Sequence, residues 1–102
     1  MTLKEFKMQY ALGSLSYDNL LALAKRPNTS KAILTILSKD KNYWVRSNVA
    51  HNPITPMNTL LEISTAEEEY NAIKGFARMT IRKIKTIKRR AKKNQNKRSK
   101  DK

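Results

Sequence analysis

Apolar positions recur along this chain at steps of three and four, the spacing that lines one face of an α-helix. Few stretches alternate strictly, which argues against half-buried strands. Thr2-Leu3-Lys4-Glu5 has the form of a capping box, with Leu3, Phe6 and Tyr10 following at helical intervals. The break at Leu12-Gly13-Ser14 ends that first helix. Ser14 or Ser16 suits the cap of a second, whose apolar face holds Tyr17, Leu20, Leu21, Leu23 and Ala24. Pro27 stops it. Thr29 or Ser30 then starts a third helix packed through Ile33, Leu34, Ile36 and Leu37.

The pattern repeats. With a shift of 26 residues, Tyr17 falls on Tyr43, Leu23 on Val49, Ala24 on Ala50, Pro27 on Pro53, Thr29 on Thr55, Leu34 on Leu60 and Leu37 on Ile63. A shift of 27 carries Tyr43 to Tyr70, Val49 to Phe76 and Ala50 to Ala77. A fixed period in this range is the signature of stacked units that cannot bury their apolar faces alone. The repeated phrase around Pro27 and Pro53 reads as a corner between helical segments. Pro53 restrains Asn52 to extended geometry, Thr55 suits an N-cap, and Pro56 suits the first helical position. Repeats are placed at about 17–42 and 43–69, with a partial one at 70–81.

The third unit has no proline. Ser64-Thr65-Ala66-Glu67-Glu68-Glu69 reads as a helix start with an acidic first turn. Phe76, Thr80/Ile81, Ile84, Ile87 and Ala91 continue one apolar stripe. The spacing predicts one long helix from about Thr65 to about Lys92, with Gly75 as a weak point where the chain could break. The segment 93–102 lacks apolar residues and is expected to be a disordered basic tail.

The run from Asp40 to Ile63 resembles the leucine-rich repeat variant, a relative of HEAT-like repeats. The resemblance rests on Asp40, Val45-Arg46, Val49-Ala50, Asn52-Pro53, Thr55-Pro56, Leu60 and Ile63, and extends over about 17–80. The first copy departs from it with Arg26 in place of Asn and Ser30 in place of the second Pro. The resemblance implies an all-α fold, a short right-handed α-solenoid, here followed by a long basic C-terminal helix. It implies no particular activity. An iron–sulfur cluster found in some relatives needs cysteines, which this chain lacks.

Charge changes the picture. The 102 residues carry a net charge of +14. The stretch 82–102 holds 12 basic residues and one acid, for a net of +11, while 1–81 holds 10 basic and seven acidic residues, for a net of +3. A helical-repeat domain, 1–81, is therefore expected to be followed by a basic helix end, 82–92, and the tail. Such an excess favours polyanionic partners. The absence of cysteine removes a disulfide framework and a thiolate metal site, and fits a reducing, cytoplasmic setting. No apolar run is long enough to span a bilayer, and MTLKEFKMQY lacks the apolar core of a signal peptide.

Candidate chemistry is sparse. His51 is the only histidine and has no evident co-ligands, so no metal and no cofactor are expected. No nucleophile–base set or phosphate loop is present, and no enzymatic activity is expected. Tyr43 and Trp44 are read as packing between repeats, and Asp40 and Arg46 as an inter-repeat polar contact or cap. The expected nucleic-acid-binding residues are Arg78, Arg82, Lys83, Lys85, Lys88, Arg89, Arg90, Lys92, Lys93, Lys97, Arg98 and Lys100. Lys25, Arg26 and Arg46 are candidates for an additional basic ridge. Lysines and arginines of this kind would hold DNA or RNA by its phosphates. The competing readings are an adaptor whose tail binds an acidic protein or anionic membrane, and a merely solubilising face. Few large apolar residues border the charges, which tells against membrane insertion. The repeat ends are expected to dock a protein partner or a second copy.

Overall fold

A computed structural model describes residues 1–100, with the side chains of residues 1–93. These residues form six helices and no strand: α1 (Leu3–Ala11), α2 (Tyr17–Lys25), α3 (Lys31–Leu37), α4 (Tyr43–His51), α5 (Met57–Thr65) and α6 (Asn71–Lys100). Of the tail expected at 93–102, the backbone of 93–100 continues α6, while the side chains from 94 on and the backbone at 101–102 lie outside that description.

Local chemistry explains most helix ends. Thr2, Ser16 and Asn42 each accept backbone N–H groups of the turn that follows, satisfying donors with no intrahelical partner. Gly13 closes α1 with a φ of 68°. The Ser14 N–H bonds the Gln9 carbonyl, the closing bond of a helix end built around a left-handed residue.

Two turn shapes recur. The turns at 12–16 and 38–42 share one shape, and those at 26–30, 52–56 and 66–70 share another. The chain therefore enters its repeating pattern at α1, not at α2. α1 and α3 are matched by the turn that follows them, and α3 and α5 by the 26-residue shift that sets Leu34 on Leu60 and Leu37 on Ile63, although the turn after α5 has the second shape. The turn at 66–70 corrects the helix expected to begin near Thr65. Although it lacks a proline, the Glu69 N–H bonds the Ala66 carbonyl, and the Glu69 carboxylate is taken by the Tyr70 N–H and by Arg46. Glu69 thus fixes a corner instead of capping a helix at Thr65. Gly75 lies inside α6 without breaking it.

The threonines of the corners also act differently from expectation. Thr29 Oγ1 donates to the Leu23 carbonyl at 2.6 Å, and Thr55 Oγ1 to the Val49 carbonyl at 2.8 Å. Both tie back to the helix just ended, where the last carbonyls lack partners. Ser30 and Pro56 stand at the N-cap positions that follow.

α2 packs on α4 and α4 on α6, while α5 packs on α6. Tyr43 meets Tyr70, His51 meets Phe76, and Thr80 bonds Ala50, so α4 and α6 run in the same direction. The core between the layers holds Leu34, Leu37, Val45, Val49, Leu60, Ile73 and Ala77, with Phe6 of α1 closing its near end. The apolar stripe of α6 contributes Ile81 to this core and Ile84 to its margin. Ile87, expected to continue it, is 63% exposed.

Candidate nucleic-acid interface

The basic residues of α6 sort onto different faces of the helix. Arg78, Arg82, Lys85, Arg89 and Lys92 follow at steps of four, three, four and three, which aligns them in one stripe, with Lys93 beside its end. About 1.5 Å of rise per residue spreads Arg78 to Lys92 over roughly 21 Å. Lys83 and Arg90 lie seven apart on a neighbouring face, beside Met79 and Ile87. Lys88 turns the other way. With Ile84 it lines a groove against Lys31 and the corner Pro53–Met57. The side chains of Lys97, Arg98 and Lys100 lie outside the described residues.

Two of the expected residues have structural partners. The Arg78 guanidinium donates to the Ser64 carbonyl at 3.1 Å, near the end of α5. Arg46 holds Glu69 through two nitrogens, at 2.9 and 3.3 Å, and donates to the Asp40 carbonyl at 2.8 Å. Its charge is neutralised within the fold, which takes Arg46 out of any basic ridge. Lys25 and Arg26 are exposed at the end of α2. α4 stands between α2 and α6, so they lie roughly 20 Å from the α6 stripe at ordinary interhelical distances.

Two basic residues escaped the sequence reading. Lys74 precedes Arg78 by one turn and begins the stripe; its spacing was visible, but it lies before the charge-rich segment. Lys31 joins Lys88 only through the fold, and no local signal marks it.

Trp44 also differs from expectation. It is 60% exposed, standing edge-on to Tyr43 at 5.0 Å. Tyr43 in turn meets Tyr70, itself 61% exposed, at 5.3 Å. Only Tyr43 of this pair bridges units.

The remaining polar clusters are absorbed by structure. His51 Nδ1 lies 2.9 Å from the Ser47 carbonyl, and the ring packs on Phe76 at 4.0 Å. A cleft of about 580 Å³ beside α1 is lined by Tyr10, Leu15, Tyr17, Leu20 and Asp40. Both carboxylate oxygens of Asp40 are engaged, Oδ1 by the Asn42 N–H and Oδ2 by the Tyr10 hydroxyl. Burial, and after it the hydrogen bond and charge of Asp40, push the Tyr10 phenol up to about 12. Among the described residues no group of three or more His, Cys, Asp or Glu side chains is placed to hold a metal, and no helix is long and apolar enough to cross a membrane.

Fold and surface together define a helical repeat-like, all-α protein with a long charged final helix. No protein-family model, curated protein or solved structure matches the chain.

Proposed function

We propose that this protein acts by binding and not by catalysis, laying the basic stripe of α6 along the phosphate backbone of DNA or RNA. The carrying observation is the stripe itself: Arg78, Arg82, Lys85, Arg89 and Lys92 on one flank of a helix that has no Pro break. Aligned cations of this kind neutralise successive phosphates and release their counterions, without reading sequence. The helix pairs are read as a short right-handed α-solenoid of the variant leucine-rich or HEAT-like kind, serving to dock a protein partner. The recurring bonds onto the corresponding helix of the preceding unit support that reading: Asn52 of the corner after α4 onto the Ala24 carbonyl of α2, and Thr80 of α6 onto the Ala50 carbonyl of α4.

Fluorescence anisotropy with labelled duplex DNA, single-stranded DNA and RNA over a salt series tests the proposal. The unaltered chain should bind with a steep salt slope. An Arg82→Glu/Lys85→Glu/Arg89→Glu variant should lose most of its affinity, with the slope on duplex reduced by about 3, near 0.9 per phosphate contact. No binding to any of the three at low salt sinks the proposal. A second reading, attachment to an acidic protein or anionic membrane, is favoured by one observation: Met79 and Ile87 are exposed among the cations. Binding to anionic vesicles in place of nucleic acid would move the conclusion there.

A further inference from the structure

Two exposed patches of opposite chemistry stand on this molecule. One is the edge formed where α4 and α6 begin, with Tyr43, Trp44 and Tyr70 in edge-to-face contact. Glu67 and Glu68 are exposed in the turn just before Tyr70, while Lys41 precedes Trp44 by three residues and Lys74 follows Tyr70 by four. The other patch is a shallow groove of about 400 Å³ along α6, formed by Met79, Arg82, Lys83, Thr86, Ile87 and Arg90. Met79 is 48% exposed there. The first patch is aromatic and acidic, and the second is aliphatic and basic.

We infer that the protein associates head to tail, with the Met79–Arg90 face of one copy seated on the Tyr43–Trp44–Tyr70 edge of another. Charge complementarity selects this occupant. Aromatic faces attract arginine and lysine cations, and the neighbouring carboxylates add to that attraction. Met79 and Ile87 supply apolar surface for the rings to cover. Within one copy the two patches cannot meet. α6 is one continuous helix, which holds Arg82 to Arg90 roughly 15 to 30 Å from its own start. The contact joins unlike surfaces, so each copy offers one patch of each kind, and association extends until a ring or a reciprocal pair closes. Glu67 and Glu68 would repel phosphates at the aromatic edge, which is why a second copy fits there better than a nucleic-acid strand. The inference does not require the nucleic-acid reading: the groove is centred on the flank of α6 next to the stripe that begins at Lys74, and the two surfaces share only Arg82.

Trp44 is the only tryptophan, so its emission reports on the edge directly. Sedimentation velocity and tryptophan emission would be followed over a dilution series of the full chain at low salt. Association should raise the sedimentation coefficient with concentration and shift the emission to the blue. Both changes should vanish in an Arg82→Glu/Arg90→Glu variant and in a Glu67→Lys/Glu68→Lys variant, all at exposed positions. Mixing the two variants should restore them, because the reversed charges then face each other. A chain that stays monomeric with unshifted emission overturns the inference, as does association that survives in both variants. A Trp44 shift that appears only on adding single-stranded DNA assigns the edge to base stacking and overturns it as well.

Discussion

Asn52 is the residue on which neighbouring units depend most. Its side-chain amide donates to the Ala24 carbonyl at 2.9 Å and the Arg26 carbonyl at 3.0 Å, while its oxygen accepts the Ile54 N–H at 3.0 Å. One buried side chain thereby closes its own corner and satisfies the end of α2. The same place one unit earlier holds Arg26. That difference looked like a degenerate repeat in the sequence; in the fold, no helix equivalent to α2 precedes it among the described residues, so no such helix end awaits a donor. Replacing Asn52 by Ala leaves one buried and two part-buried backbone groups without their partner. We expect a loss of about 2–3 kcal/mol in urea unfolding, against under about 0.5 kcal/mol for Arg26→Ala at its exposed position. Tyr10 gives a residue-scale prediction in pH. Its folded pKa, about 12, lies above the ordinary value of 10.0. The folded state therefore keeps a proton that the unfolded state releases. The stabilisation is complete below pH 10 and is lost as pH rises toward 12. Tyr10→Phe should flatten the alkaline fall in thermal midpoint over that window. A fall identical to that of the unaltered chain would show that other groups control alkaline unfolding.

The two glycines make opposite predictions for their elements. Gly13 occupies a left-handed conformation in the turn after α1, so a side chain there is strained even though nothing lies within 4 Å of its added Cβ. Gly13→Ala should cost about 1 kcal/mol. Gly75 has ordinary helical geometry and equally open space, so Gly75→Ala should stabilise α6 by about 1 kcal/mol through the unfolded chain's lost freedom. Thermal or urea unfolding of the two variants checks both signs. These elements also mark the limit of what the sequence discloses. The corners at Pro27 and Pro53 were legible because proline punctuates them. The corner at 66–70 was not, because it is held by Glu69 reaching Arg46, 23 residues away. A glutamate in that position reads locally as a helix-start signal. α1 was legible as a helix but not as half of a unit. Its sequence shares little with α3 beyond an apolar face, and only the matching turns at 12–16 and 38–42 reveal the equivalence. The exposure of Trp44 was equally hidden, since a lone tryptophan amid repeat positions reads as core.

At the scale of the molecule, charge and packing are separated along α6. Its first turns share a core with α4 and α5, while from Arg82 onward the helix carries most of the chain's excess charge. The candidate stripe was readable in the sequence as composition but not as a surface. Its division among three faces, and the removal of Arg46 by Glu69, depend on how the units stack. This arrangement has an energetic consequence. Arg82, Lys85, Arg89 and Lys92 stand one turn apart on the same flank, and like charges at that spacing destabilise a helix by a few tenths of a kcal/mol per pair. Beyond Ile84 little apolar burial offsets the repulsion, as the exposure of Ile87 shows. The helical content of α6 should therefore depend on screening. Raising ionic strength from about 0.01 to 0.15 M shortens the Debye length from roughly 30 to 8 Å and should increase the circular dichroism signal at the helix band. A polyanion such as inorganic polyphosphate should produce the same gain at far lower concentration, because it binds the helical form and shifts the equilibrium by mass action. An Arg82→Glu/Arg89→Glu variant should show neither response, since signs then alternate along the flank from Arg78 through Lys85 to Lys92 and the repulsion is removed. A helix signal indifferent to both salt and polyphosphate would mean that α6 is already at its limit. Polyanion binding would then draw nothing from ordering the helix and would rest on Coulomb attraction to a preformed surface alone.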